Sequence, residues 1–156
     1  MEEIFRISFF VLVLAVLFVW DLRHGILPDA ITLPSIAVVV VWNLVGGHVQ
    51  LWSMVAGASV VGGFFFIQFL VSHGRWIGGG DIRMGALMGA MLGLWPAVIA
   101  TYVAYVVGAI IGGALLLRGT HQRTSALPFG TFLAVGSGIA LLWGERMVVW
   151  YTQWMR

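Results

Sequence analysis

The chain has 156 residues, 61% of them hydrophobic and 9% charged, with a mean hydropathy of +1.02. That balance lies far from a soluble domain and marks a membrane protein. Lysine and cysteine do not occur: the eight basic residues are all arginine and their net excess of +2 is scattered, so there is no nucleic-acid footprint, no disulfide, no thiolate metal site and no cysteine nucleophile.

The first apolar run opens with Glu2 and Glu3 instead of a basic region, and no Ala-x-Ala-like cleavage site follows before Asp21. It reads as a retained span, not a secretory signal. Further apolar runs, separated by polar or Pro/Gly punctuation, give spans near 4–21, 31–47, 51–72, 82–95, 97–117 and 128–150. The expected fold is all-α: a polytopic transmembrane bundle of about six helices, one membrane-embedded domain over 1–156. The second and fourth runs are short for a crossing of ~20 residues. The weakest break is Trp95-Pro96; without it, one long kinked helix replaces two spans and everything after it changes side.

Orientation follows from the arginines. With six spans and the N-terminus outside, Arg23, Arg75, Arg83, Arg118 and Arg123 fall in cytoplasmic segments. Arg6, Arg146 and Arg156 fall outside, with Glu145 at the outer interface. The bias favours N-out, C-out. Tryptophans 20, 42, 52, 76, 95, 143, 150 and 154 lie mostly near span ends, as an interfacial belt requires. Small residues recur every four positions at Gly85, Gly89 and Gly93, at Gly108 and Gly112, and at Gly130, Ala134 and Gly138, rows that let helix backbones approach closely in lipid.

All three aspartates sit at cytoplasmic span ends: Asp21 closes the first, Asp29 precedes the second and Asp81 opens the fourth. Two spans separate Asp21 from Asp81, and an even number of crossings returns a chain to the side it left. The topology therefore permits a carboxylate dyad. If the fourth helix begins at Asp81, then Asp81, Gly85, Gly89 and Gly93 share one stripe, which directs the carboxylate into protein and away from lipid. Glycines 78 to 80 are expected to supply unusual φ/ψ and to let another backbone come close, with room for an extended peptide beside Asp81. Two carboxyls held close in a poorly solvated site share a proton. The ionised member can deprotonate water while the other polarises a peptide carbonyl. The competing structural role is capping: aspartate is a preferred N-cap, so Asp29 and Asp81 also fit the starts of helices two and four. Asp21, at a helix C-terminus, opposes the macrodipole and is not explained that way.

At these residues the chain resembles the type IV prepilin peptidases. "DLRHGILPDAITLP", 21 to 34, is similar to the family's first aspartate motif; "GGGDIRMGALMGAMLG", 78 to 93, to its GxGD motif; and "ALPFGTFLAVG", 126 to 136, to its late Pro-Phe-Gly segment. The resemblance implies an aspartyl endopeptidase of the bacterial inner membrane that removes the basic leader of type IV prepilins or type II secretion pseudopilins at the cytoplasmic face. It places the catalytic pair on Asp21 and Asp81 and gives Pro28, Asp29, Gly78 and Gly80 a site-shaping part, with no metal and no cofactor. Larger relatives carry an N-terminal methyltransferase domain with paired cysteines; nothing in this sequence corresponds, so methylation is not expected. Where the family usually has lysine, this chain has Arg83, either steadying the ionised aspartate or acting as a positive-inside anchor.

Two other readings compete. An archaeal preflagellin peptidase or presenilin-like protease shares GxGD, but the Leu-Pro-Asp and Pro-Phe-Gly segments favour the prepilin branch. A small ion- or proton-coupled transporter or assembly subunit predicts carboxylates near mid-membrane, not at its edge. His24, His73 and His121 read as solvated loop residues, since no metal-ligand spacing such as HExxH occurs.

Overall fold

A computed structural model of the chain describes residues 1–118 and 128–154. His121, Arg123, Arg156, the Glu145 side chain and the first two residues of the 126–136 segment lie outside the described part. All regular structure among the described residues is helical: α1 Glu2–His24, α2 Asp29–Gly46, α3 Leu51–Ser72, α4 Gly79–Leu92, α5 Leu94–Leu117 and α6 Phe129–Trp154. The six expected spans are these six helices, with edges moved by a few residues. By length and composition α1, α2, α3 and α5 can each cross a bilayer, while the apolar part of α6, Phe129–Gly144, is shorter.

The chain breaks where glycine allows it to. Gly25 and Gly47 close α1 and α2 in the left-handed region, at φ 65 and 64, and His73 closes α3 at φ 52. The break between α4 and α5 is at Gly93, not at Trp95-Pro96. Gly93 has φ 78 and ψ 180, a conformation closed to other residues, and its N–H still reaches the Gly89 carbonyl at 2.9 Å. Pro96 falls in the first turn of α5, where a missing N–H leaves no helical bond unmade.

α4 is the centre of the bundle. No residue from Gly79 to Leu92 is exposed, and α3, α2, α6 and α5 all pack on it, α3 most extensively. The stripe expected on this helix is present. A Cβ on Gly85 would stand 2.7 Å from the Phe65 ring, and one on Gly89 would stand 2.1 Å from the backbone of Gly57 and Ala58. Between α5 and α6 the close approach is at Gly136, where a Cβ would lie 2.3 Å from the Ala100 carbonyl; Gly138, which the small-residue row singled out, faces open space. Asn43, buried in α2, donates from Nδ2 to the Ala90 carbonyl at 2.8 Å and ties α2 to α4.

At 1.5 Å per residue the 14 residues of α4 extend ~21 Å. That is short of a ~30 Å hydrocarbon core, so at least one end of α4 is recessed.

Candidate active site

The C-terminal ends of α1 and α3 and the N-terminal ends of α2, α4 and α6 meet at one end of the bundle. Asp21 occupies the last turn of α1 and is 3% exposed; Asp81 occupies the first turn of α4 and is 9% exposed. Gly130, whose Cβ site would stand 3.0 Å from Asp21 Cγ, and Gly80, next to Asp81 in the chain, both crowd Leu27, so the two carboxyls share one corner of the bundle. The even-crossing argument thus holds: α2 and α3 carry the chain away and back.

Each carboxyl is held through one oxygen. Asp21 Oδ2 accepts from the Thr131 backbone N–H at 2.6 Å and from the Thr131 hydroxyl at 3.0 Å. Asp81 Oδ2 accepts from the Gly78 N–H at 3.0 Å, while the Asp81 N–H donates to the Gly78 carbonyl at 3.1 Å. Among the described residues neither Oδ1 takes a hydrogen bond. Asp81 therefore does cap α4, but from the third helical position back onto the N-cap Gly78, not as the N-cap itself. Capping and a chemical role are compatible, because the first uses one oxygen and leaves the other.

The glycines meet one half of the expectation, close approach of another segment, and not the other. Gly78 has φ −79 and ψ 157, and none of residues 78 to 80 has positive φ, so unusual backbone freedom is not what the run supplies. Gly80 is required sterically. A Cβ there would sit 2.8 Å from Leu27 Cβ, and one on Gly130 would sit 2.8 Å from Leu27 Cδ1 and 3.0 Å from Asp21 Cγ and Oδ2. Buried Leu27, two residues before Asp29, is thus wedged between α4 and α6 beneath the carboxyls. Gly130→Ala is expected to displace the Asp21 carboxyl by a fraction of an ångström and to lower any reaction that depends on it ~10-fold or more. Alanine itself suits the helix, so the melting temperature should hold while that rate falls.

Pro28 is the N-cap of α2, with φ −74 and ψ 128, and its carbonyl accepts from Thr32 Oγ1 at 3.0 Å. Asp29 is the first helical residue and makes no cap; its Oδ1 pairs with Arg83 Nη1. Arg83 thus serves Asp29, not either buried aspartate, and fastens the start of α2 to the first turns of α4. With side chains 40% and 51% exposed, the pair contributes at most ~1 kcal/mol. Asp29→Asn and Arg83→Gln should each shift melting by only a few degrees, the effect vanishing at high salt.

The histidines are engaged locally. His24 lies tilted against Trp20 with centroids 4.7 Å apart and shares a hydrogen bond with the Trp20 carbonyl at 3.1 Å, and His73 is the C-cap of α3.

Thr131, Leu27 and Tyr105 were not singled out by the sequence, and Gly130 was marked only by its small-residue row and the Pro-Phe-Gly segment. Tyr105 donates to Gln68 Oε1 at 2.9 Å and packs on Phe129 with centroids 4.8 Å apart.

The fold and this site define a polytopic helical membrane protein with two buried carboxyls gathered from separate helices at one end. The chain belongs to the type IV leader peptidase family, which it matches over residues 8–113. The prepilin leader peptidase/N-methyltransferase of Aeromonas salmonicida (strain A449) is 36% identical over 135 residues, covering 84% of this chain and 46% of that protein. The Legionella pneumophila protein of that name is 34% identical, over 86% of this chain and 49% of its own length. In Bacillus subtilis (strain 168) the figures are 28% identity, 96% and 60%. The chain spans about half the length of the curated relatives it matches. No solved structure matches it.

Proposed function

We propose that the chain is an aspartyl endopeptidase that removes the leader of type IV prepilins or type II secretion pseudopilins at the cytoplasmic face of the bacterial inner membrane, with Asp21 and Asp81 as its catalytic pair. The observation that carries the reading is the gathering of these two buried carboxyls at one end of the bundle around Leu27, each anchored through Oδ2 by donors at the starts of α4 and α6. The Oδ1 atoms then remain to address a water and a peptide carbonyl. One carboxyl, ionised, takes a proton as the water oxygen bonds to the scissile carbon; the other, protonated, donates a hydrogen bond to the carbonyl oxygen. Collapse of the tetrahedral species breaks the C–N bond, and the first carboxyl returns its proton to the departing amine. Burial strengthens these interactions, since less water competes.

The test is co-reconstitution of the purified chain with a prepilin in liposomes, with mass spectrometry of the product. A single cut releasing the basic leader is expected; an intact prepilin sinks the proposal. The absence of cysteine makes the facing testable in cells. Ile26→Cys, in the α1–α2 connection, should resist an impermeant maleimide until the cells are lysed, whereas Gln50→Cys, before α3, should label at once. The reverse pattern would turn the site outward.

A further inference from the structure

The end of the bundle opposite the carboxyls carries a second site. A cavity of about 240 Å³ lies between α1, the α2–α3 connection, the start of α5 and α6, and its wall includes Glu3, Arg6, His48, Trp143 and Arg146. Arg6 is half-buried; its Cζ stands 5.9 Å from the centroid of the Phe10 ring and its Nε is buried with no hydrogen-bond partner among the described residues. A guanidinium in the second turn of a membrane helix is costly unless an acceptor meets it. Trp143, 48% exposed, sits as an indole does at headgroup level. His48 also lines an adjoining apolar hollow of about 570 Å³, formed along α2 by Val38, Val41, Trp42 and Val45 with Glu2. A polar cavity and an apolar groove thus share a wall residue.

We propose that this end of the bundle holds one phospholipid with a phosphoethanolamine head, the phosphodiester on Arg6 and Arg146, the ammonium toward Glu3, and an acyl chain along the α2 groove. The planar donors of a guanidinium match phosphate oxygens, and a phosphodiester supplies the acceptor that Arg6 Nε lacks. Glu3 decides the headgroup: beside two arginines a carboxylate suits a zwitterion and disfavours a purely anionic head. The groove decides between lipid and free phosphate, because inorganic phosphate leaves it empty. The proposal concerns the face away from the carboxyls and does not depend on the peptidase reading.

The test is native mass spectrometry of the purified chain in detergent, titrated with dioleoyl-phosphatidylethanolamine, dioleoyl-phosphatidylglycerol or inorganic phosphate. The expected result is one retained phosphatidylethanolamine, with phosphatidylglycerol several-fold weaker, and at least ~5-fold weaker retention in Arg6→Gln and in Arg146→Gln. Val41→Trp, which fills the groove without touching the arginines, should also weaken lipid retention; circular dichroism of each variant checks the fold. Equal retention by the wild type and both arginine variants would overturn the proposal, as would tighter binding of phosphatidylglycerol. So would thermal stabilisation by inorganic phosphate equal to that by the lipid, the mark of a free-anion site.

Discussion

Asp21→Asn and Asp81→Asn should each lower leader cleavage at least ~1,000-fold, about 4 kcal/mol of transition-state stabilisation, while the bundle stays folded. The separation of chemistry from structure rests on the anchoring bonds. Asparagine keeps a side-chain carbonyl oxygen, so at position 21 it still accepts from the Thr131 N–H and hydroxyl, and at position 81 it still accepts from the Gly78 N–H. The cap of α4 and the α1–α6 tie therefore survive. What is lost is the group that can take or hold a proton. Because the pair acts as a unit, the double variant should be hardly worse than either single one. The measurement is the initial cleavage rate in liposomes beside a melting curve; a rate within tenfold of wild type in either variant, with the fold intact, removes the dyad.

The legible part of this protein was whatever repeats along a helix or counts crossings. Apolar runs gave the six helices, and the parity of α2 and α3 gave the convergence of Asp21 and Asp81. The four-residue spacing of Gly85 and Gly89 gave the packed face of α4. Contacts between distant residues were illegible. Thr131 holds Asp21 across 110 positions and Arg83 meets Asp29 across 54, and no local pattern marks either partner. The Pro-Phe-Gly segment did point to the right place, since Thr131 follows Gly130 directly, but only as a resemblance. Close approach at glycines 78 to 80 is legible from the missing side chains, but that Leu27 is what approaches Gly80 is not. A sequence shows that a side chain is missing, not what occupies the space. The α4–α5 break went to Gly93 instead of Pro96 for the related reason that proline is harmless in a first helical turn.

The largest structural effect should come from Gly89→Ala, far from the carboxyls. Its Cβ would lie 2.1 Å from Ala58 N and Gly57 C and 2.4 Å from the Gly57 carbonyl oxygen, all backbone atoms of a neighbouring helix that no rotamer change can move. Relief requires α3 and α4 to separate at their tightest crossing, which also lifts Phe65 from Gly85 one turn away. In lipid the association of these helices depends on close van der Waals packing, not on a hydrophobic drive, so a forced gap costs ~3 kcal/mol or more. Gly63→Ala is the control: it lies in α3 with nothing within 4 Å of its Cβ site, and there alanine should be neutral or stabilising by up to ~1 kcal/mol. Melting in detergent should fall sharply for the first variant and not for the second. Cleavage should fall with it, since α4 carries Asp81 and a displaced α4 parts that carboxyl from Asp21. Should Gly89→Ala melt like Gly63→Ala, the α3–α4 contact is looser than described and cannot be what positions Asp81.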